Sequence, residues 1–257
     1  MTVGMVTGDK WEGVHYFCTT RAGGVSVGAL ASLNLAEHVH DDVGCVRENR
    51  KRLAALLPCE PVWLEQVHGT RVFDADLSVA GTNPPRADAA VTDVPGRVLS
   101  IMTADCLPVV IADREGKVLG MAHAGWRGLA AGVLENTMHS VRVKCPAASA
   151  WRAWIGPAIG RRHFEVGPDV LQAFVANDPD SRACFFSGPR PGKWLADLPG
   201  LAKARLLKAG VQHIECSGFC SYEQADLFYS HRRDAASGRM ATLAWLSGSS
   251  AESLAFI

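Results

Sequence analysis

Three short stretches of this chain place a histidine or a cysteine at the end of an apolar run, beside glycine or other small residues. They are residues 66–69 (QVHG), 104–108 (ADCLP) and 122–128 (AHAGWRG). Small neighbours let a ligand approach the backbone closely, and binding and catalytic residues are concentrated where regular elements end. The donors in these stretches are the imidazoles of His68 and His123 and the thiol of Cys106.

Two imidazoles and one thiolate form the ligand set of an open tetrahedral zinc site, whose fourth position is left for water or substrate. Zinc would hold Cys106 deprotonated and lower the pKa of its bound water to about 7. The separations of 38 and 17 residues match no local zinc motif. The residue types alone therefore leave two alternatives open. The three side chains can be ordinary strand-end residues, or Cys106 can be a nucleophile with His123 or His68 as its base.

Two neighbours of these donors are further candidates for the site. Asp105 precedes Cys106 and has the chemistry of a proton carrier or of a partner that orients a metal ligand. Cys106 itself is the second candidate catalytic residue. The alternative role for Asp105 is to cap the turn before Pro108. Gln66, two residues before His68, is a candidate for substrate binding.

Two arginines are candidates for binding a substrate anion, because a guanidinium donates paired hydrogen bonds to phosphate. Arg50 falls on the apolar stripe of a predicted helix, where it must extend to water or reach a buried anion. An ion pair with Asp41 or Asp42 would explain it equally well. Arg127 follows His123 by four positions and lies near a predicted helix start, whose N–H groups favour anions. Its alternative is a first-turn arginine that only faces solvent.

The elements that must position these residues are short strands and a few helices. Apolar runs of strand length occur at residues 14–20, 62–67, 98–103, 108–112, 118–122, 154–159, 214–217, 227–230 and 241–246. Helical periodicity predicts helices over 46–57, 128–143 and 198–209, and Pro168 favours a fourth over 167–177. The three runs between 98 and 122 leave no room for a helix, so we expect antiparallel strands joined by hairpins. The mixture predicts the α/β (α+β) class, a single domain over 1–257 with mixed β-sheets flanked by helices.

Composition limits the function classes. The 257 residues contain 26 basic and 26 acidic side chains, so the chain has no electrostatic reason to bind nucleic acid or an anionic membrane. We find no signal peptide and no apolar run of about 18 residues, and we expect a cytoplasmic protein whose eight cysteines are reduced. The glycine motifs of dinucleotide-binding and P-loop sites are absent.

Further short stretches surround the three donor stretches in a fixed order. They are 19–26 (TTRAGGVS), 33–35 (LNL), 41–42 (DD), 48–50 (ENR), 87–89 (ADA), 155–159 (IGPAI), 228–234 (FYSHRRD) and 238–240 (GRM). Together with QVHG, ADCLP and HAGWRG, they resemble the YfiH-like family, also called the laccase-domain or multicopper polyphenol oxidase family. The resemblance runs from residue 17 to residue 246 without large gaps.

The resemblance implies the YfiH-like (CNF1-like) fold class and a zinc ion, with copper as the alternative metal, on His68, Cys106 and His123. It also implies purine nucleoside chemistry, namely phosphorolysis of adenosine, inosine and methylthioadenosine and deamination of adenosine. A purine nucleoside and phosphate are then the expected partners.

Other functions stay open at this point. The resemblance also implies a copper-dependent phenol oxidase, or a cysteine hydrolase or amidase that acts on peptidoglycan precursors. A multicopper oxidase needs several histidine-rich copper sites, and the H-x-H pair of this chain is His38 and His40. A structural zinc site needs a fourth protein ligand, and no further His or Cys has a matching context. The sequence therefore favours a catalytic zinc site.

Overall fold

A computed structural model describes residues 2–78 and 83–248, so the predicted domain limits at 1 and 257 lie outside the described residues. Within these ranges the chain forms thirteen strands and five α-helices. The strands are β1 (Met5–Val6), β2 (Val14–Thr19), β3 (Val72–Asp74), β4 (Ala89–Thr92), β5 (Leu99–Thr103), β6 (Leu107–Asp113), β7 (Leu119–Ala124), β8 (Trp151–Ile155), β9 (Glu165–Val166), β10 (Phe185–Ser187), β11 (Trp194–Ala196), β12 (His213–Cys216) and β13 (Met240–Leu246). The helices are α1 (Val43–Ala54), α2 (Trp126–Ala131), α3 (Val133–Lys144), α4 (Pro168–Val175) and α5 (Leu198–Lys208).

The strands form three sheets. The largest has six strands in the order β12-β8-β6-β7-β4-β3, antiparallel at its centre and parallel at the two outer pairs. A four-stranded antiparallel sheet has the order β1-β2-β13-β5, and a small one has the order β10-β11-β9. The predicted class, mixed sheets flanked by helices in one α+β domain, is confirmed.

The two larger sheets pack face to face, and helices cover their outer faces. Side chains of β6 alternate between the two sides: Val109 and Ile111 pack in the cluster that includes α3 and α5, and Val110 and Ala112 pack toward the four-stranded sheet. On the far side of that sheet, Leu53 of α1 closes a third cluster. Because both faces of β6 are buried, its sequence is a continuous apolar run and not an alternating one.

Three of the four predicted helices are confirmed, and one prediction is wrong. α4 and α5 lie where expected, and α1 begins earlier because the carboxylate of Asp42 accepts a hydrogen bond at 3.0 Å from the N–H of Cys45. The single helix predicted over 128–143 is instead α2 followed by α3. Gly132 separates them with φ +101°, a left-handed conformation that costs glycine little. None of the described helices is long and apolar enough to span a membrane.

Two of the predicted strands are wrong. Residues 62–67 form only isolated bridges, at Val62 and at Glu65. The side-chain amide of Gln66 bonds to the N–H and the carbonyl of Met102, so these backbone groups of β5 are not available to pair with a strand over 62–67. Residues 227–230 form no strand, and their apolar character reflects burial, since Phe228 and Tyr229 are fully buried in the core between the sheets.

The prediction for the three runs between 98 and 122 is correct in part. β6 and β7 form the expected antiparallel hairpin. β5, however, pairs with β13 in the other sheet, and its predicted hairpin to β6 does not form. Asp105 lies at the corner between β5 and β6 with φ +92°, so the chain turns there from one sheet into the other. This corner carries Cys106.

Candidate metal centre

The donor atoms of His68, Cys106 and His123 all lie within 4.8 Å of one another. Strand register accounts for two of them. Pro108 of β6 pairs with His123 of β7, so Cys106, which lies just before β6, is brought beside the end of β7. His68 comes from the loop before β3, and its Nε2 atom lies 3.9 Å from Sγ of Cys106. The structure therefore brings the three predicted ligands together at one end of the six-stranded sheet.

A buried carboxylate, to which the sequence analysis gave no role, holds both histidines. Oδ1 of Asp88 accepts a hydrogen bond from Nδ1 of His123 and one from the N–H of His68, each at 2.8 Å. Oδ2 accepts from the N–H groups of Val67 and Gly69 at 3.1 and 2.7 Å. A neutral histidine that donates from Nδ1 has an unprotonated Nε2 that can bind a metal, and most metal-bound histidines are oriented in this way.

The charges of the site stabilise one another. Burial raises the pKa of the Cys106 thiol, but the positive charge and the hydrogen bonds of His123 and His68 outweigh burial and lower it to about 6. Burial lowers the pKa of His123, and the Cys106 thiolate and Asp88 reverse this and raise it to about 9. Burial also raises the pKa of Asp88, which the bonds from His123 and the backbone hold below its usual value. Without a metal, the trio therefore holds a thiolate next to an imidazolium at neutral pH.

The space between the donors is kept open by Gly125. A Cβ atom at this position would lie 2.8 Å from Cδ2 of His68 and 3.0 Å from Sγ of Cys106, which is closer than such contacts allow. His68 has φ +59°, which is uncommon for a residue other than glycine. The hydrogen bonds that the N–H groups of residues 67–69 donate to the Asp88 carboxylate hold it in this conformation. Two nitrogen donors and one sulfur donor around a space that excludes a side chain fit a zinc ion with one open position.

Asp105 lies beside the trio but is already hydrogen-bonded through both carboxylate oxygens. Oδ1 accepts from the hydroxyl of Ser221 at 2.6 Å, and Oδ2 accepts from the N–H of Arg232 at 2.6 Å. These bonds tie the loops that contain Ser221 and Arg232 to the corner next to Cys106. The role of Asp105 as a proton carrier stays a prediction.

Gln66 and Arg50 make structural contacts in addition to any role in binding. The amide of Gln66 donates to the carbonyl of Met102 and accepts from its N–H, each at 2.8 Å, which fixes the chain two residues before His68. Arg50 forms an ion pair at 3.0 Å with Glu37, and not with the expected Asp41 or Asp42. Its Nε also donates to the carbonyl of Leu35 at 2.9 Å, and its guanidinium lies 4.3 Å from the centre of the Trp63 ring.

Arg127 is the exposed member of the predicted binding residues. It lies in the first turn of α2, four residues after His123, and its guanidinium is 4.4 Å from the ring centre of Trp126. Binding of substrate by Gln66, Arg50 and Arg127 stays a prediction.

The comparisons with known proteins agree along nearly the whole chain. The profile of the family described as multi-copper polyphenol oxidoreductase laccase matches residues 15–247. The chain belongs to this family. Two curated relatives of the family are a purine nucleoside phosphorylase of Pseudomonas aeruginosa, 48% identical over 228 residues, and the purine nucleoside phosphorylase YfiH of Escherichia coli, 47% identical over 239 residues. The matches cover 89% and 91% of this chain and 91% and 95% of the relatives.

Solved structures of the family share the fold. A Neisseria meningitidis protein of the DUF152 family is 43% identical, with a TM-score of 0.88, and the match covers 95% of this chain and all of that chain. YlmD of Geobacillus stearothermophilus is 33% identical, with a TM-score of 0.84, over 92% of this chain and 93% of its own. The resemblance found in the sequence is therefore confirmed.

Proposed function

We propose that this chain is a zinc-dependent purine nucleoside phosphorylase that converts adenosine, inosine and methylthioadenosine to the free base and ribose 1-phosphate or its methylthio analogue, and that also deaminates adenosine. The observation that carries the proposal is the convergence of His68, Cys106 and His123 in a chain 47–48% identical to relatives named purine nucleoside phosphorylase. The substrates and zinc are the parts of the proposal that experiment must test.

His68, Cys106 and His123 would hold the metal, and neighbouring groups orient them and set their protonation states. Bound there, zinc would supply a Lewis acid with one coordination position open to a substrate oxygen. Asp88 fixes the tautomer of His123, so that Nε2 faces the donors, and anchors the backbone of His68. The lowered pKa of Cys106 means that the thiol is already deprotonated at neutral pH, so the proton released on metal binding is that of the His123 imidazolium, whose pKa is raised to about 9.

Phosphorolysis sets two tasks for the chain. A phosphate oxygen forms a bond to C1′ of the ribose while the C1′–N9 bond breaks, so the site must hold an anion against the ribose. The leaving purine must take up a proton, which hydrogen phosphate loses as its oxygen bonds to C1′, and we propose that Asp105 relays this proton. Its carboxylate holds the hydroxyl of Ser221 at 2.6 Å, so the two side chains form a connected pair through which a proton can move.

The test is a product analysis on protein of known metal content. Zinc-loaded protein is incubated with adenosine, with and without inorganic phosphate, and the products are separated. Adenine and ribose 1-phosphate that form only with phosphate support the proposal, and inosine formed without phosphate supports the deamination. The Cys106→Ala and His123→Ala variants should lose zinc and both activities. If zinc content stays undiminished in both variants, the ligand assignment is wrong.

A second candidate function is a cysteine hydrolase or amidase, and one observation favours it. Asp88, His123 and Cys106 are connected in the order carboxylate, imidazole and thiolate, the arrangement that activates a nucleophilic cysteine. The two candidates make opposite predictions about metal. A thiolate bound to zinc is a poor nucleophile, so the hydrolase should be active in chelated protein and should form a covalent adduct on Cys106. Nucleoside turnover that stops on chelation and returns with zinc excludes this candidate.

A further inference from the structure

Strand register places the backbone of an arginine outside the predicted set, Arg239, near the corner that carries Cys106. Met240, the first residue of β13, pairs with Thr103, the last residue of β5. Arg239 therefore lies directly beyond the end of this pair, where the partner strand continues into Asp105 and Cys106. Its backbone is fixed, since its N–H donates to Oδ1 of Asn34 at 3.0 Å.

The guanidinium of Arg239 is half-buried and only partly hydrogen-bonded. NH1 donates to the carbonyls of Ser237 and Gly238 at 2.6 and 3.0 Å. A guanidinium has five N–H groups, so Nε and NH2 keep three that no protein group in residues 2–78 and 83–248 accepts. Within the same residues, Arg239 also forms no ion pair, whereas Arg50 is paired with Glu37.

The charge of Arg239 interacts with Cys106, a member of the trio, and with its neighbour Asp105. Burial lowers the pKa of its guanidinium, and the negative charges of Cys106 and Asp105 raise it, which places these groups within electrostatic reach of one another. In the described residues, the guanidinium of Arg239 forms no ion pair, and its Nε and NH2 groups remain free to bind an anion. The edge formed by Nε and NH2 has the spacing that matches two oxygens of a phosphate.

We propose that Arg239 forms the phosphate-binding subsite of this centre and holds inorganic phosphate through two N–H groups, Nε and NH2, beside the metal trio. This inference rests on the proposed function, because phosphate is the second substrate of phosphorolysis. It assigns to Arg239 the phosphate contact for which Arg50 and Arg127 are the candidates in the sequence.

The experiment measures binding of inorganic phosphate to zinc-loaded protein by calorimetry. The variants are Arg239→Met, which keeps the apolar length without the charge, and Arg239→Lys, which keeps the charge without the two-pronged edge. Arg114→Met is the matched control, because Arg114 is an exposed arginine just beyond the opposite end of β6 from Cys106. Zinc content and thermal unfolding are recorded for each protein.

Arg239→Met should weaken phosphate binding by about a hundredfold or more with zinc content unchanged, since it removes two charge-assisted hydrogen bonds. Arg239→Lys should fall between the parent and Arg239→Met, and Arg114→Met should bind as the parent does. Unchanged phosphate affinity in Arg239→Met overturns the proposal. If that variant does not fold, Arg239→Lys decides, and parental affinity in it overturns the proposal because the paired donors are then unnecessary.

Kinetics separate this inference from the proposed function. If the parent phosphorolyses adenosine and the phosphate KM is unchanged in Arg239→Met, the subsite is wrong and the function stands. If the parent binds phosphate through Arg239 but no phosphorolysis occurs, the function is wrong and the subsite stands. If zinc-loaded parent protein does not bind phosphate, the subsite is wrong.

Discussion

Replacing Asp88 by asparagine should disable the metal centre without changing any predicted ligand. The two carboxylate oxygens accept four hydrogen bonds, two on each atom. Asparagine can accept on one side only, so one pair of bonds must be lost in either orientation. With the amide nitrogen at the Oδ1 position, Nδ1 of His123 has to accept, its proton moves to Nε2, and that atom can no longer bind a metal. With the amide nitrogen at the Oδ2 position, Val67 and Gly69 lose their acceptor, and the loop that holds His68 loses its anchor.

The size of the effect follows from these bonds. Each hydrogen bond to a charged group contributes about 1.5–3 kcal/mol, so the loss of two lowers the free energy of unfolding by about 3–6 kcal/mol. A domain of ordinary stability, about 5–15 kcal/mol, tolerates much of that range and remains folded at low temperature. The affinity for zinc should fall about tenfold to hundredfold, the usual effect of removing a group that orients a metal ligand.

The assay needs a control that is equally buried but remote from the metal. Asp113, at the opposite end of β6 from Cys106, is 2% exposed and accepts hydrogen bonds from the N–H groups of Glu115, Lys117 and Val118. Asp113→Asn should therefore lower stability while it leaves zinc affinity unchanged. Chelator competition gives the zinc affinity, and denaturant unfolding of the chelated proteins gives the stability.

Two outcomes would refute this reasoning. If Asp88→Asn binds zinc as tightly as the parent although its unfolding free energy has fallen, then Asp88 supports the fold and does not orient the ligands. If Asp113→Asn loses zinc affinity to the same extent as Asp88→Asn, the effect comes from general destabilisation.

Three other perturbations test the space beside Gly125, the ionisation of Cys106 and the ion pairs of Lys144. Gly125→Ala should purify with little zinc, because its Cβ would lie 3.0 Å from the sulfur of Cys106; a full equivalent of metal would contradict this. In chelated protein, alkylation of Cys106 by iodoacetamide should accelerate as pH rises through about 6, where the thiol loses its proton, and zinc should suppress it; a rise only near the ordinary value of 9.0 would contradict the charge pairing. Lys144→Met should lower the unfolding free energy by about 1–3 kcal/mol with zinc affinity unchanged, because the ammonium group, 14% exposed, lies 2.7–3.4 Å from three carboxylates; unchanged stability in denaturant would show that these ion pairs contribute nothing.

The sequence predicted the parts of the fold that depend on local pattern. The apolar runs of β6, β7 and β13 are long enough to identify strands, and α5 has clear helical periodicity. The pairing of β5 with β13 could not be predicted, because it joins segments far apart in sequence and depends on the backbone turn at Asp105. The strand predicted over 62–67 failed because a side chain, that of Gln66, makes the bonds that a strand would otherwise have made.

The candidate site was predictable in its donors but not in the groups that hold them. Nine histidines and eight cysteines are present, and the position of His68, Cys106 and His123 at the ends of apolar runs, together with the family resemblance, selects these three. Asp88 carries a signal that is easier to interpret once the structure is known, because it is the charged residue of the apolar segment 87–92 (ADAAVT). Arg239 carries none, since an arginine before a strand is ordinary and only the register with β5 brings it beside Cys106.

The three ligands are held in different ways, and this decides how the centre responds to change. Cys106 and His123 follow from the register of β6 and β7, which many backbone bonds and a buried core enforce. His68 lies in a loop with a left-handed backbone, and its position depends on the same carboxylate that sets the tautomer of His123. A substitution of one ligand removes one donor, whereas a substitution of Asp88 disturbs two. We therefore expect the affinity of this centre for a metal to depend strongly on Asp88, which is not one of the proposed ligands.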